Sequence, residues 1–476
     1  MKIAGLPEVY LGTKKNTMAI KTIIEPFRIK MVEPIRMSSE EERIEYLEMA
    51  HYNPFLLKSE NVIIDLLTDS GTSAMSAKQW GGVMEGDESY AGSRSWMKME
   101  DEIREQTGCE FILPTHQGRA GERILYGHLG GPGKVFISNT HFDTTRANIE
   151  FSGSTAFDIP IDEGKKPSVE HPFKGNMDVD KLEELITQHK PLNIGAVILT
   201  VTNNSGGGQP VSMANARDVA EICKKYEILF VLDSCRIAEN AYFIKHREEG
   251  FENHTYKDIA KEMYRLTDGA VMSLKKDGLV NMGGFIALKD PELAEACKNL
   301  LIITEGFATY GGLSGRDMEA IAQGLKEVFR PDYLKYRIKS TGFLGDNLHK
   351  MGVPIMRPTG GHAVYIDAKA FYSHLPVNQY PGQALVLDLY RKGGIRAVEI
   401  GSVMFGKYDE NGNLIPSPME LVRLAMPRRV YTQSHVEYIL EVFQELINEK
   451  DKTKGVKIVK EPKFLRHFTS HFEIIE

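Results

Sequence analysis

From about residue 108 onward, short apolar runs rich in valine and isoleucine alternate with stretches whose apolar positions fall every three or four residues. The runs are "EFILP" (110–114), "KVFIS" (134–138), "AVILTV" (196–201), "ILFVLD" (228–233), "GAVMS" (269–273) and "GGFIAL" (283–288). Between the third and fourth, "MANARDVAEICKKY" sets Ala214, Val219, Ile222 and Cys223 at roughly helical spacing. Near-continuous apolar strands separated by amphipathic helices predict a parallel sheet covered on both faces, an α/β domain over residues 61–330. After Arg330-Pro331 the texture changes. Helical "YLKYRIKSTGFLGDNLHKMG" leads to a strand, "HAVYIDA", and "MPRRVYTQSHVEYILEVFQELI" adds a long helix. These predict a smaller α+β domain over 331–476, with residues 1–60 forming an N-terminal arm and part of that domain. "SSEEERIEY" from Ser38 reads as a capped helix start with acids in its first turn.

Composition narrows the function classes. A length of 476 residues suggests two or three domains, and 42% hydrophobic with 26% charged residues is ordinary for a globular protein. A net charge of −7 argues against nucleic acid or an anionic membrane as the main partner. No apolar run approaches the ~20 residues that span a bilayer. The first residues lack the apolar core of a signal peptide, and Met18 is a second candidate start. Cys109, Cys223, Cys235 and Cys297 form no Cys-x-x-Cys pair and no zinc-spaced cluster. A soluble protein of a reduced, cytoplasmic setting is expected.

The chemistry gathers where the strands end, because open α/β sheets bind ligands beyond the carboxyl ends of their strands. After "EFILP" come Gln117, Gly118 and Arg119, with a helix expected from about Ala120, a natural anion cradle. The later strands are followed by Phe142 and Asp143, by Asn204, by Asp233 with Arg236, and by Ser273 with Lys275 and Lys276. Each alone has a structural reading; their convergence on one sheet edge points to pyridoxal phosphate. That cofactor needs a lysine kept neutral by a dry, positively biased site, here Lys276 beside Lys275. It also needs a carboxylate for its pyridine nitrogen, met by Asp233. Gln117, Gly118, Arg119 and Ser273 offer donors for the phosphate, and Phe142 a ring to stack.

Long motifs then place the chain. "DLLTDSGT", "GDESYAGS", "PTHQGR", "GGQPVSMAN", "ENAYFIK", "YGGLSGRDMEA", "PRRVYTQSH" and "EPKFLRHFT" resemble the β-eliminating lyases over nearly the whole length from Glu25. The resemblance implies the aspartate-aminotransferase-like fold (fold type I), a pyridoxal phosphate cofactor bound to Lys276, and a homotetramer with active sites at the dimer interface. It implies that Asn204 and Arg236 lie near the cofactor's phenolic oxygen. It further implies that Arg428 clamps an amino-acid substrate's carboxylate with Thr68 and Ser70, and that Tyr90 reaches a neighbouring subunit's site. A potassium site is implied at the carbonyls of Gly71 and Asn281 and the carboxylate of Glu88 across the interface. Leu274 departs from the family, which commonly has a small residue before the lysine pair.

Three positions bear on the ring that is expelled. Phenol-releasing members resemble each other in using an arginine in a "MER" context, where "IRAVEIGSV" has Ile400. Where they have a threonine and a phenylalanine, this chain has Asp143 and His467. An apolar wall with an acid and a histidine suits an indole N–H, so the resemblance implies cleavage of L-tryptophan to indole, pyruvate and ammonia. Cleavage of L-tyrosine to phenol is the alternative, and a non-catalytic binding protein a remoter one.

Overall fold

The computed structural model describes residues 23–462 and 465–476. Met18 lies outside them, as do Lys463 and Phe464 of "EPKFLRHFT". The main sheet has seven strands: β1 (Phe111–Thr115), β2 (Val135–Ser138), β3 (Thr155–Asp158), β4 (Ile194–Thr200), β5 (Phe230–Asp233), β6 (Gly269–Ser273) and β7 (Gly284–Leu288). Their spatial order is 1-7-6-5-4-2-3. Successive residues of β4 point to opposite faces, as a pleated strand requires. Val197 and Leu199 join one core with Phe230 and Leu232, while Ala196 and Ile198 join another with Phe136, Val231 and Val271. Burial on both faces is why these strands read as unbroken apolar runs.

All six expected strands are present, and two features differ. β3 was not expected; its outer residues Thr155 and Asp158 are exposed at the sheet edge, so it carries no apolar run. β7 runs antiparallel to both β1 and β6, against the expectation of a wholly parallel sheet. Parallel partners need a crossover of a dozen or more residues, and only the short loop 274–283 joins β6 to β7.

Helices α1 (Gly118–Leu129), α2 (Asp143–Phe151), α3 (Met213–Lys225) and α4 (Ile237–Arg247) follow β1, β2, β4 and β5. The first begins two residues before the expected Ala120, at Gly118. Helix α5 (Pro331–Lys350) links two cores: Tyr333, Leu334 and Ile338 pack into the first, Leu344 and Leu348 into a second. This second core lies under a three-stranded antiparallel sheet of β8 (Ala363–Asp367), β9 (Val398–Ile400) and β10 (Leu421–Ala425), in the order 9-10-8. Helices α6 (Pro381–Gly393) and α7 (Gln433–Glu449) cover it. Ile63 and Ile64 join the same core, and Ile64–Asp65 pairs in parallel with Ile395–Arg396. The helix Glu40–Met49 starts as its sequence predicts, with Ser39 and Glu42 capping each other's backbone. Among the described residues, no helix is long and apolar enough to cross a membrane.

Candidate active site

A cavity opens at the carboxyl ends of the parallel strands. It is lined by Gln117, Gly118, Arg119, Phe142, Asn204, Asp233, Arg236, Ser273, Lys275 and Lys276, and by Ser70 and Glu122. Of the strand-end residues expected to converge, all but Asp143 line it.

One end of the cavity is an anion cradle. Helix α1 starts there with no side chain capping its first N–H groups, and Arg119 stands beside them. A β-carbon on Gly118 would fall 2.6 Å from that of Ser273, so glycine lets the helix start meet the end of β6. At the other end, Asp233 is 6% exposed and forms no ion pair among the described residues; its carboxylate accepts only the Cys235 N–H, at 3.3 Å. A buried carboxylate without a cation awaits a partner. The buried amide oxygen of Asn204 has no hydrogen-bond partner among the described residues. Lys276 is buried, its ammonium 5.8 Å from the centre of the Phe142 ring. Burial, and then the charges of Lys276 and Arg119, lower the pKa of Lys275. An anion cradle, a flat aromatic face, an unpaired carboxylate and a half-buried lysine pair fit pyridoxal phosphate.

A second group of residues comes from farther apart. Asp143 Oδ2 lies 3.6 Å from His467 Nε2, and both are buried. Burial raises the Asp143 carboxyl above its ordinary range. Burial, and then Arg423 and Arg466, press the His467 imidazole down to about 3, so it is neutral at physiological pH. Phe55 stands edge-on to His467 at 5.6 Å and belongs to the apolar cluster containing Ile400, Val398, Leu421 and Tyr365. Phe55 thus links the acid–histidine pair to the apolar cluster that holds Ile400.

Arg428 does not take its expected place. It is fully buried, and its guanidinium pairs with Asp69 at 2.9 Å, Glu239 at 2.9 Å and Asp277 at 3.0 Å. Arg236, which lines the cavity, also pairs with Asp69 at 2.7 Å, and Arg337 with Glu239 at 2.9 Å. These three arginines and three acids balance one another in charge, so both terminal nitrogens of Arg428 are committed to buried acids, and its Nε is left without a partner among the described residues. Arg423, on β10, is the residue overlooked in the sequence. It is 7% exposed, gives one bond to Leu67 O at 2.8 Å, leaves Nε without a partner, and forms no ion pair among the described residues. Its charge acts on both Asp143 and His467. The missed signal is the strand itself: "LVRLA" sets an arginine within a run buried at every position. Thr68 accepts from the Ser70 N–H at 3.1 Å, on the turn before Gly71.

Glu122 was also missed. It is buried on α1, lines the cavity, and accepts the hydroxyls of Thr144 and Thr145 at 2.8 Å each. Those threonines follow Asp143 directly, so Glu122 ties α1 to the start of α2. Burial, then the Asp233 charge, push its carboxyl up to about 7.

The cation residues are partly together. Asn281 donates to Gly71 O at 2.9 Å, and its own carbonyl lies 3.0 Å from where a Gly71 β-carbon would sit. Glu88, expected from across an interface, is at the surface of this chain and paired with Arg316 at 2.9 Å. Tyr90 is exposed, stacked on Phe307 away from its own chain's cavity. Leu274 is fully buried among Met272, Val280 and Ile321, so its bulk is absorbed by the core.

A sequence profile of the Beta-eliminating lyase family matches residues 65–441. The chain belongs to the β-eliminating lyases. Within that family it is 55% identical over 454 residues to a protein of Hyphomonas neptunium named tryptophanase, covering 95% of this chain and all of the relative. A tryptophanase of Salinibacter ruber is 56% identical, covering 94% and 95%. A tyrosine phenol-lyase of Pasteurella multocida is 48% identical, covering 94% and 98%. Among solved structures, this lyase resembles the serine palmitoyltransferase of Sphingomonas wittichii with a TM-score of 0.58 at 14% identity, over 87% of this chain and 97% of that one. That likeness is one of fold, and it agrees with the α/β architecture read from the sequence.

Proposed function

We propose that this β-eliminating lyase cleaves L-tryptophan to indole, pyruvate and ammonia, with pyridoxal phosphate held at Lys276. The observation that carries the ring choice is the approach of Asp143 to His467, 3.6 Å apart beside the apolar wall of Ile400, with no basic residue at that wall position. The higher identity to the two tryptophanases than to the phenol-lyase supports the same choice.

When bound, pyridoxal phosphate supplies an electron sink conjugated to the substrate's α-carbon. Gln117, Gly118, Arg119 and Ser273 would hold its phosphate, Phe142 its ring face, Asp233 its ring nitrogen, and Asn204 and Arg236 its phenolic oxygen. The Lys276 amine then takes the proton from the substrate α-carbon. Arg423, in place of Arg428, receives the substrate carboxylate, with Thr68 and Ser70 beside it; a guanidinium grips a carboxylate at two points. Asp143 accepts the indole N–H, and the neutral His467 orders the same edge of the ring. Tyr90 of a second copy would reach the phosphate and the leaving group. Potassium would sit between two copies on the carbonyls of Gly71 and Asn281 and the carboxylate of Glu88, oxygen ligands of the kind hard cations prefer. A homotetramer in a reducing cytoplasm completes the reading, and the four cysteines, all free, suit that compartment.

Parallel assays of indole from L-tryptophan and phenol from L-tyrosine test the proposal. Faster indole release is expected, and faster phenol release would overturn the assignment of Asp143, His467 and Ile400. For the cation, activity is expected in potassium or ammonium and weak activity in sodium; equal rates in all three would remove that site.

A further inference from the structure

Ile400 and His467 come from distant parts of the chain, yet both hang on one four-residue helix, Ser402–Phe405. Ile400 precedes it by two residues. Glu399, just before Ile400, turns back and accepts the helix's N–H groups of Val403 at 3.0 Å and Met404 at 3.1 Å. Glu420, at the start of β10, accepts the Ser402 N–H at 3.2 Å and the Ser402 hydroxyl. That hydroxyl in turn accepts the Ser417 N–H at 2.9 Å. At the opposite end, Arg466 donates to the carbonyls of Val403 at 2.6 Å, Gly406 at 2.9 Å and Ser402. The next residue after Arg466 is His467.

The two glutamates converge on a single glycine. A β-carbon on Gly401 would fall 2.7 Å from Glu399 Oε1 and 2.7 Å from Glu420 Oε2. Both acids are buried, at 3% and 4% exposure, and neither forms an ion pair among the described residues. Other charges around them are few. Lys369 and Asp367 act on Glu420 with opposite sign, Gly382 of helix α6 packs against Glu399, and Arg466 is engaged with carbonyls and with Glu461 at 3.5 Å. The charge of Glu420 raises the Glu399 carboxyl, so ionising one of these buried acids disfavours ionising the other.

We propose that Glu399, Glu420 and Arg466 are positioning residues for ring recognition, clamping the Ser402–Phe405 helix at both ends so that Ile400 and His467 keep one spacing, with a proton held by one of the glutamates as part of the clamp. This deepens the ring-recognition reading above and rests on it. Loss of that proton sets like charges against each other at Gly401 and moves the Ile400 wall relative to His467. Burial, then Glu420, push the Glu399 carboxyl up to about 8, and burial pushes Glu420 in the same direction.

The test compares two substrates that share an α-amine and a carboxylate but differ in leaving group: L-tryptophan and S-(o-nitrophenyl)-L-cysteine. In the wild type, the tryptophan-to-thioether ratio of kcat/KM should fall about tenfold between roughly pH 7 and 9, as one ionisation near 8 dictates. Glu420→Gln, a permanently neutral mimic, should flatten that fall while melting as the wild type does. Arg466→Ala should raise KM for tryptophan with the thioether kcat little changed. A ratio independent of pH in the wild type, a Glu420→Gln profile that still falls, or an equal loss on both substrates in Arg466→Ala would overturn the proposal. If the wild type releases phenol and no indole, the substrate reading fails. The same ratio taken with L-tyrosine then supports the clamp by falling and overturns it by staying level.

Discussion

The floor of the cavity and its ring-side wall are built differently. On the floor, Gln117, Asp233, Ser273 and Lys276 stand at or just beyond the ends of strands of one sheet, each strand buried on both faces. On the wall, Asp143 starts a helix, Ile400 ends one short strand, Arg423 sits inside another, and His467 lies in a turn near the end of the chain. The floor is positioned by continuous backbone ladders. The wall is positioned by side chains: Glu122 through two threonines, and Arg466 and two glutamates through one small helix. Floor residues are therefore fixed by the fold, and wall residues by networks that can be loosened one bond at a time.

The largest effect should come from the floor. Lys276→Ala is expected to lower indole release by at least about 10²–10⁴-fold, the usual contribution of a positioned proton-transfer group, whereas Lys275→Ala keeps the cofactor and loses less. Visible absorbance of the bound cofactor, read beside the rate, checks both. A Lys276→Ala enzyme of near-normal activity would place the floor's chemistry elsewhere.

The two arginines sharpen the contrast further. Arg428→Ala leaves Asp69, Glu239 and Asp277 buried without their shared partner, which should cost about 3–5 kcal/mol of stability. Arg423→Ala should leave the melting temperature nearly unchanged and lower kcat/KM for tryptophan about ten- to a hundredfold, the loss of a charge-assisted bond. Thermal melts and steady-state rates on both variants decide the matter; the reverse pattern would return the carboxylate to Arg428.

On the wall, Asp143→Thr and His467→Phe should each lower indole release about ten- to a hundredfold. Release of nitrothiophenolate from S-(o-nitrophenyl)-L-cysteine should change far less, because that thiolate leaves as a stable anion whereas the indole carbon must gain a proton as its bond to the β-carbon breaks. Equal losses on both substrates would make these residues structural.

The last effect is on stability alone and concerns Glu122. Its carboxyl is raised from 4.5 to about 7 in the folded chain, so the folded state binds a proton more tightly than the unfolded state does. The associated stability is full below about 4.5 and is lost as pH rises through about 7. Glu122→Gln should flatten that part of the stability profile in denaturant titrations at several pH values. An unchanged slope would show that Glu122 is already ionised.

How much was legible follows from the same contrast. The strand-end residues could be read because an apolar run of five or six residues announces a buried strand, and the ligand side of such a sheet is set by its direction. β3 escaped because an edge strand with exposed Thr155 and Asp158 lacks that run. Arg423 escaped because one charge in a buried strand carries no mark of whether it is paired. Arg428 was given the carboxylate because "PRRVYTQSH" is a long motif, and nothing in a motif shows that three acids from elsewhere surround its arginine.

The sequence by itself determined the α/β class, six of the seven main-sheet strands in chain order, and the set of groups at the strand ends, because local periodicity and chain direction suffice for each. Only the tertiary structure decided that β7 runs antiparallel, that Arg428 is neutralised while Arg423 forms no ion pair among the described residues, and that Glu399 and Glu420 both face Gly401. These depend on which charges are brought together out of water. Electrostatic partnership in a dry interior is a property of distance in space, and spacing along the chain does not encode it.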